Sequence, residues 1–178
     1  MTWLNPDIED AAYAASSVRL RAGDSMSELV VKPLEPSRLT EAYPLVRSAV
    51  HVSHERWQSY ARKLIAAGGA VLAVAGAEGP LFGLAAYRGI ASLRHGRALQ
   101  VELIVAFELS RLAPVRRLLR DALEVAARAD GCDSIIYTLG AKGCLTPRPE
   151  RRPAWRQLGG DIDTIGLVRR LGSATPVR

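Results

Sequence analysis

The sequence predicts a mixed α/β (α+β) domain whose central sheet is antiparallel over most of its width and parallel at one end. Three observations lead to this prediction. The first predicted strand is followed by two helical segments, and two apolar strands are then joined by the hairpin-type link AEGP. Residues 97–139 carry the pattern strand, turn, helix, strand. Such a unit crosses over right-handedly and places its two strands parallel, and these strands form a cleft if they are splayed.

Residues 5–22 are predicted to form an extra N-terminal helix. Asn5 can cap its N-terminus, Pro6 suits the first helical position, and Gly23 can end it. Its apolar positions are mainly alanines, and a face of small side chains buries little area. We therefore expect residues 1–27 to be a helical extension that docks on the domain, on a second copy of the chain or on a partner.

The sequence of the first part of the domain predicts one strand and two helices. The strand spans residues 27–36 and is ended by prolines. A helix is expected over residues 37–50, with Ser37 as its N-cap and a kink or break at Pro44. The clearest helical pattern follows in residues 53–69, where two glycines end the helix. Its apolar face contains Trp57, Tyr60, Ala61, Leu64 and Ile65.

The sequence of the second part of the domain predicts mainly strands, together with one long helix. That helix spans residues 113–129 and has one apolar face, with its arginines largely elsewhere. A loop that is rich in arginine and proline follows residue 139, with a short helix near residues 153–158. The expected strands are residues 70–76, 81–90, 97–107, 133–139 and 163–171.

Composition limits the size and the class of the protein. The chain has 178 residues, of which 48% are hydrophobic and 24% charged, as suits one domain with its own core. We expect this domain at residues 28–171 and a flexible tail at residues 172–178. No apolar run reaches the ~18 residues that cross a bilayer. The two cysteines are too few for a disulfide framework and show no zinc spacing, so a cytoplasmic protein with no membrane contact and no metal is expected.

The net charge of +6 comes mostly from arginine. It favours anionic partners such as nucleotides, nucleic acid or acidic surfaces, or it reflects a solvated arginine-rich surface. The densest cluster is RPERRPAWR, residues 148–156, where Trp155 offers a stacking surface for a base. No nucleic-acid-binding motif accompanies this cluster, so nucleic acid is not the favoured partner.

The order of elements, with VELIV leading into a turn and a helix, resembles the GNAT superfamily of acyl-CoA-dependent N-acyltransferases. The resemblance covers residues 29–171, and AWRQLGGDIDTIGLVRRL resembles the family's closing signature of an aromatic residue, a leucine-glycine turn and a last strand. It implies a central sheet with flanking helices and splayed parallel strands 4 and 5. It also implies acetyl transfer from acetyl-CoA to a small-molecule or protein amine.

The turn after the fourth strand departs from the family pattern. Family members carry Q/R-x-x-G-x-G/A there, and backbone N–H groups of this turn bind the pyrophosphate of CoA. This chain has ELSRLAPVRR, without glycine, and Pro114 removes one N–H donor. Arginine side chains replace the backbone contacts, or the site is lost, and both readings stay open. The cofactor-binding positions that the resemblance implies are Leu103, Val105, Arg111, Ala113, Val115, Arg116 and Arg117.

The resemblance also implies a carboxylate base on the fourth strand, and Glu102 is the candidate. Strand alternation predicts that its side chain lies opposite Val101, Leu103 and Val105. Glu108 is a second candidate, less well placed because it lies in the turn. The family's usual acid is a tyrosine before the leucine-glycine turn, where this chain has Trp155, so Tyr137 is the substitute candidate. Glu102 as a strand-edge ion pair and Tyr137 as a core residue are the structural alternatives.

Three functions therefore remain open at this point. The first is an atypical GNAT acetyltransferase. The second is a non-catalytic GNAT-like structural or interaction protein, for example a component of a phage particle or another complex, which the glycine-free turn and the N-terminal arm favour. The third is a basic nucleic-acid-binding module.

Overall fold

A six-stranded sheet in which the strands lie side by side in chain order forms the centre of the computed structural model. The structure describes residues 17–22, 25–76, 79–108, 114–139 and 158–159. The strands are β1 (Ser17–Ala22), β2 (Ser25–Pro33), β3 (Ala70–Gly76), β4 (Leu81–Ser92), β5 (Gly96–Ala106) and β6 (Ser134–Tyr137). The helices are α1 (Tyr43–Ala49), α2 (His54–Ala66) and α3 (Pro114–Ala129), with a 3-10 turn at Pro36–Arg38.

The sheet is mixed, as the sequence predicted. Strands β1 to β5 pair antiparallel, and β6 pairs parallel to β5. The parallel pairing runs from Ala98 opposite Ser134 to Val101 opposite Tyr137, and the N–H of Thr138 donates to the carbonyl of Val101 at 2.8 Å. Beyond this point β5 continues to its end while β6 has already ended. Within the described residues the pairing of β5 with β6 thus stops here, and we call the space beside β5 beyond Val101 the splay.

Strand β1 corrects the predicted N-terminal helix. Ser17–Ala22, which falls inside the helix predicted at residues 5–22, is a strand that pairs antiparallel with β2. The physical reason is visible in its sequence, SVRLRA, where valine and leucine alternate with arginine at the period of a strand. Only Gly23 and Asp24, a pair typical of tight hairpins, separate β1 from β2. Residues 5–16 lie outside the described part of the chain.

Pro44 begins a helix, although the sequence suggested that it kinks or breaks one. The chain forms the 3-10 turn Pro36–Arg38, and α1 then begins at Tyr43 with Pro44 in its first turn. This position suits proline because its missing N–H has no intrahelical partner there. The expected N-cap Ser37 instead lies within the 3-10 turn.

Helices cover both faces of the sheet. Helix α3 packs on the face that we call the α3 face, and α1 and α2 pack on the opposite, α1–α2 face. Buried strand residues on the α3 face include Leu29, Val31, Leu72, Val74, Leu99 and Val101. Those on the α1–α2 face are Val71, Ala73, Leu84, Ala86 and Leu103. Because both faces are buried, the central strands are apolar almost continuously.

Helix α3 lies very close to β4 at Gly83. A Cβ added to Gly83 would lie 2.5 Å from Val115 Cγ1 and 3.1 Å from Leu119 Cδ1. The missing side chain therefore lets the first turns of α3 pack directly against the strand. This contact fixes where the N-terminus of α3 lies relative to the sheet.

Candidate active site at the splayed strands

Glu102 occupies a β-bulge, which the sequence did not reveal. Ala86 pairs with Leu103 and Tyr87 pairs with Val101. Glu102 is therefore an extra residue whose backbone has no pairing partner on β4. A bulge reverses the alternation of side chains, and Val101 therefore faces α3 while Leu103 faces α1 and α2. The expectation that Val101 and Leu103 share one face, opposite Glu102, was wrong for this reason.

The carboxylate of Glu102 is held on the α1–α2 face by two side chains. The Tyr60 hydroxyl donates to Glu102 Oε2 at 3.2 Å, and Arg88 Nη2 lies 3.2 Å from Glu102 Oε1. The Glu102 side chain keeps 30% of its surface exposed. The carboxylate is thus positioned from two sides and still open to a bound molecule, at the residue next to the last β5–β6 pair.

The hydrogen bond between Tyr60 and Glu102 is the feature of the site that the sequence did not predict. The spacing of Tyr60 with Trp57 suggested a core residue, and Trp57 is indeed buried, with its indole N–H donating to the carbonyl of Leu39 at 2.8 Å. Tyr60 is only half-buried. Burial raises the pKa of Tyr60 to about 12, and the charge and hydrogen bond of Glu102 add to this, while Arg88 opposes it. Tyr60 therefore stays a neutral phenol that donates to the carboxylate.

The edge of β5 that faces the splay carries unpaired backbone groups in the described part of the chain. The N–H of Phe107 donates to the carbonyl of Phe82 on β4 at 2.7 Å. In an antiparallel pair every second residue bonds to the same neighbour, so Leu103 and Val105 also direct their backbone groups towards β4. The groups of Ile104 and Ala106 then face the splay, where they can bind an extended ligand.

Leu103 and Val105 were expected at the cofactor, and the structure shows their side chains elsewhere. Leu103 is buried in the α1–α2 core, and Val105 packs against it. Their role as cofactor-binding residues stays a prediction. The neighbouring Ile104 and Ala106 offer backbone groups in the direction of the splay and were not expected.

Tyr137 lies on the opposite side of the sheet from Glu102. Its ring packs against the α3-face core at the last paired position of β6. Burial raises the pKa of Tyr137 to about 12, to which Glu124 and Asp121 add and which Arg120 opposes. Glu102 and Tyr137 thus approach the start of the splay from opposite faces, and they are not in mutual contact.

The N-terminus of α3 is capped by a carboxylate from its own chain. The N–H of Arg116 donates to Glu108 Oε1 at 2.9 Å, and the N–H of Val115 donates to Glu108 Oε2 at 3.3 Å. Pro114, the first helical residue, has no N–H to donate. Sequence reasoning placed Glu108 as a possible base and gave no signal for this cap, since Glu108 lies outside the usual spacing of N-cap residues.

The arginines expected to bind phosphate lie in different surroundings. Arg117 is exposed, Arg116 is half-buried, and Val115 has a fully buried side chain in the α3-face core. Arg120 Nη2 lies 2.7 Å from Asp121 Oδ1, and this hydrogen bond raises the pKa of Arg120. Arg111 and Ala113 lie outside the described residues, as does the whole cluster at residues 148–156 with its Trp155.

Part of the expected closing signature is described. Leu158 is 8% exposed, and Gly159 has a φ of +78°, a conformation that favours glycine. Within the described ranges, no group of three histidine, cysteine, aspartate or glutamate side chains is arranged to hold a metal ion. The described helices are all too short or too polar to cross a membrane.

Several solved structures share this architecture, although no family model and no curated protein matches the sequence. The aminoglycoside antibiotic 6'-N-acetyltransferase AAC(6')-Ih from Acinetobacter baumannii is 12% identical, with a TM-score of 0.65 over 81% of this chain and 99% of that one. A GNAT family acetyltransferase from Staphylococcus aureus is 14% identical, with a TM-score of 0.58 over 80% and 98%. AAC(6')-Iy in complex with CoA is 11% identical, with a TM-score of 0.64 over 84% and 99%. At these identities the likeness is one of fold.

Proposed function

Since the chain has the fold of the GNAT acetyltransferases, we propose that it is an acyl-CoA-dependent N-acyltransferase that moves an acetyl group from acetyl-CoA to an amine. One observation carries this proposal. Glu102 lies in a bulge at the start of the splay, where Tyr60 and Arg88 hold its carboxylate and leave it accessible. A structural ion pair alone does not need the bulge or the tyrosine.

The donor and the acceptor approach Glu102 from different directions in this proposal. The pantetheine arm lies along the open edge of β5, where Ile104 and Ala106 direct their backbone groups, and its thioester reaches the start of the splay. The acceptor amine enters on the α1–α2 face, beside Glu102. The proposed cofactor-binding residues remain those that the family resemblance implies: Leu103, Val105, Arg111, Ala113, Val115, Arg116 and Arg117.

The reaction needs two proton transfers, and the two faces supply one candidate for each. The amine lone pair attacks the thioester carbonyl, the C–N bond forms, and the C–S bond breaks. Glu102 accepts the proton that the amine nitrogen loses. Tyr137 donates a proton to the departing thiolate from the α3 face and regains one from solvent.

A second function is supported by a different observation. Pro114 and Glu108 leave the described first turn of α3 without the donors that would bind pyrophosphate, and the preceding turn lacks glycine. A GNAT fold that has lost its donor site serves as a structural or interaction protein. That alternative predicts no binding of any acyl donor and purification with fixed partners.

Calorimetry with CoA and acetyl-CoA separates the two functions. Binding at micromolar to millimolar concentration is expected for the acetyltransferase, followed by release of thiol from acetyl-CoA in the presence of a panel of amines. Absence of binding at millimolar CoA, with a folded protein confirmed by circular dichroism, contradicts the proposal and supports the second function.

A further inference from the structure

We propose that Glu108 determines which part of the acyl donor this protein recognises: its carboxylate occupies the donors at the start of α3, so the donor is held by its pantetheine arm and the pyrophosphate adds little affinity. The inference rests on the proposed function for the class of donor. The two hydrogen bonds from Val115 and Arg116 to Glu108 carry it.

Within the described residues, the start of α3 offers no free backbone N–H to a phosphate. A helix begins with backbone N–H groups that have no intrahelical partner. In α3 the first helical residue is Pro114, which has none, and the next two N–H groups both bind Glu108. Within the described first turn, a phosphate can gain a backbone hydrogen bond only by displacing the carboxylate.

Charge strengthens this competition. The start of a helix carries partial positive charge that favours one anion. Glu108 supplies that anion and places one oxygen on each of the two N–H groups, so a pyrophosphate that approaches meets a like charge. An unpaired helix start would attract the same group.

Covalent attachment favours Glu108 further. Only residues 109–113 separate it from the helix that it caps. A group tethered so closely competes at an effective concentration on the order of millimolar or above, so a weakly bound phosphate does not displace it at ordinary ligand concentrations. The open edge of β5 remains available to the pantetheine arm, because its free backbone groups lie on a different element.

The test compares two ligands on three proteins. CoA and pantetheine, which lacks the pyrophosphate, are titrated by calorimetry into the wild type, Glu108→Ala and Glu108→Gln. We expect the wild type to bind both ligands within about threefold of each other. Glu108→Ala should raise CoA affinity about tenfold and leave pantetheine unchanged. Glu108→Gln, which keeps the shape and loses the charge, should show a smaller rise for CoA.

A matched control separates this effect from a general change in net charge. Glu55→Gln removes one carboxylate from the first turn of a different helix, α2. It should leave the ratio of CoA to pantetheine affinity unchanged. The inference is overturned if the wild type already prefers CoA by about a hundredfold, or if neither Glu108 variant changes the ratio.

A second measurement does not depend on acyl donors. Inorganic pyrophosphate is titrated into isotope-labelled protein, and the amide resonances of Val115 and Arg116 are followed by NMR. They should shift in Glu108→Ala and stay unchanged in the wild type; equal shifts in both proteins overturn the inference. If neither CoA nor pantetheine binds, the proposed function fails, and the pyrophosphate titration alone decides the role of Glu108.

Discussion

Glu102 lies within β5 and Glu108 just beyond its C-terminal end, and the two carboxylates are held in opposite ways. The side chains of Tyr60 and Arg88 hold the carboxylate of Glu102 and leave it partly exposed on the α1–α2 face. Backbone N–H groups hold Glu108, which closes the start of α3. In the proposed function the first carboxylate exchanges a proton, and the second occupies N–H donors that a phosphate would need.

The largest effect is expected from Glu102→Gln, which removes the proposed base and keeps its shape. The rate of acetyl transfer should fall by about 100-fold to 10,000-fold, the usual contribution of a general base. Affinity for acetyl-CoA should stay within about twofold, because the proposed donor contacts are backbone groups of Ile104 and Ala106 on the edge of β5.

The control for this variant is Glu41→Gln, which breaks an exposed ion pair with Arg38 that does not involve Glu102. Glu41→Gln should leave the rate of acetyl transfer and the affinity for acetyl-CoA unchanged. Steady-state kinetics measures the rate, and calorimetry measures the affinity. A rate for Glu102→Gln within twofold of the wild type would show that Glu102 is only a strand-edge ion pair.

Gly83→Ala should have the largest effect on the stability of the protein, because it disturbs the packing of α3 on the sheet. Its added methyl group would lie 2.5 Å from Val115 Cγ1, so α3 must shift away from β4. Overpacking of this kind costs about 1–3 kcal/mol in the free energy of unfolding, which urea titration measures. Gly79→Ala is the matched control, because its nearest neighbour is 3.7 Å away. An equal loss in the two variants would argue against close packing of α3 on β4.

Glu108→Ala should lower the free energy of unfolding by about 1 kcal/mol, the typical value of a helix cap. Glu102→Gln should change it by less, because partly exposed ion pairs contribute little. The loss of stability should therefore be larger when Glu108 is replaced, whereas the loss of activity should be larger when Glu102 is replaced. Urea titration of both variants tests this ranking, and a larger loss of stability in Glu102→Gln would reverse the comparison.

Long periodic segments allowed most of the fold to be predicted. The apolar spacing of α2 and α3 and the apolar runs of β3 and β4 marked these elements to within a few residues. β1 was missed because its six residues alternate only briefly and directly follow an alanine-rich segment with helix signals. The parallel placement of β5 and β6 followed from the strand–helix–strand pattern, in which a crossover helix joins two parallel strands.

The site was less predictable, because its geometry depends on contacts between distant residues. Glu102 was found as a candidate, but the bulge that turns it towards α2 is set by its pairing with β4 and leaves no local pattern. The Tyr60 hydroxyl reaches Glu102 across 42 positions of sequence. The cap on α3 likewise depends on how the chain folds back on the helix.

The smallest expected effect is a change in the titration of one tyrosine. The charge and hydrogen bond of Glu102 help to raise the pKa of Tyr60 to about 12, so Glu102→Gln should lower this pKa. The pKa of Tyr137, also about 12, should stay unchanged because other groups raise it on the opposite face. Both pKa values are measured by the tyrosinate absorbance during an alkaline titration. Subtracting the titration of the same protein with Tyr60→Phe or Tyr137→Phe isolates the signal of that tyrosine.

The same raised pKa fixes the sign of a stability effect. A phenol whose pKa is higher in the folded state stabilises the fold fully below pH ~10 and loses this contribution as the pH rises towards about 12. Glu102→Gln should reduce this alkaline loss, and a variant on the α3 face such as Glu108→Gln should not. If both variants change it equally, the two faces are electrostatically coupled, and the division between an acceptor side and a donor side does not hold.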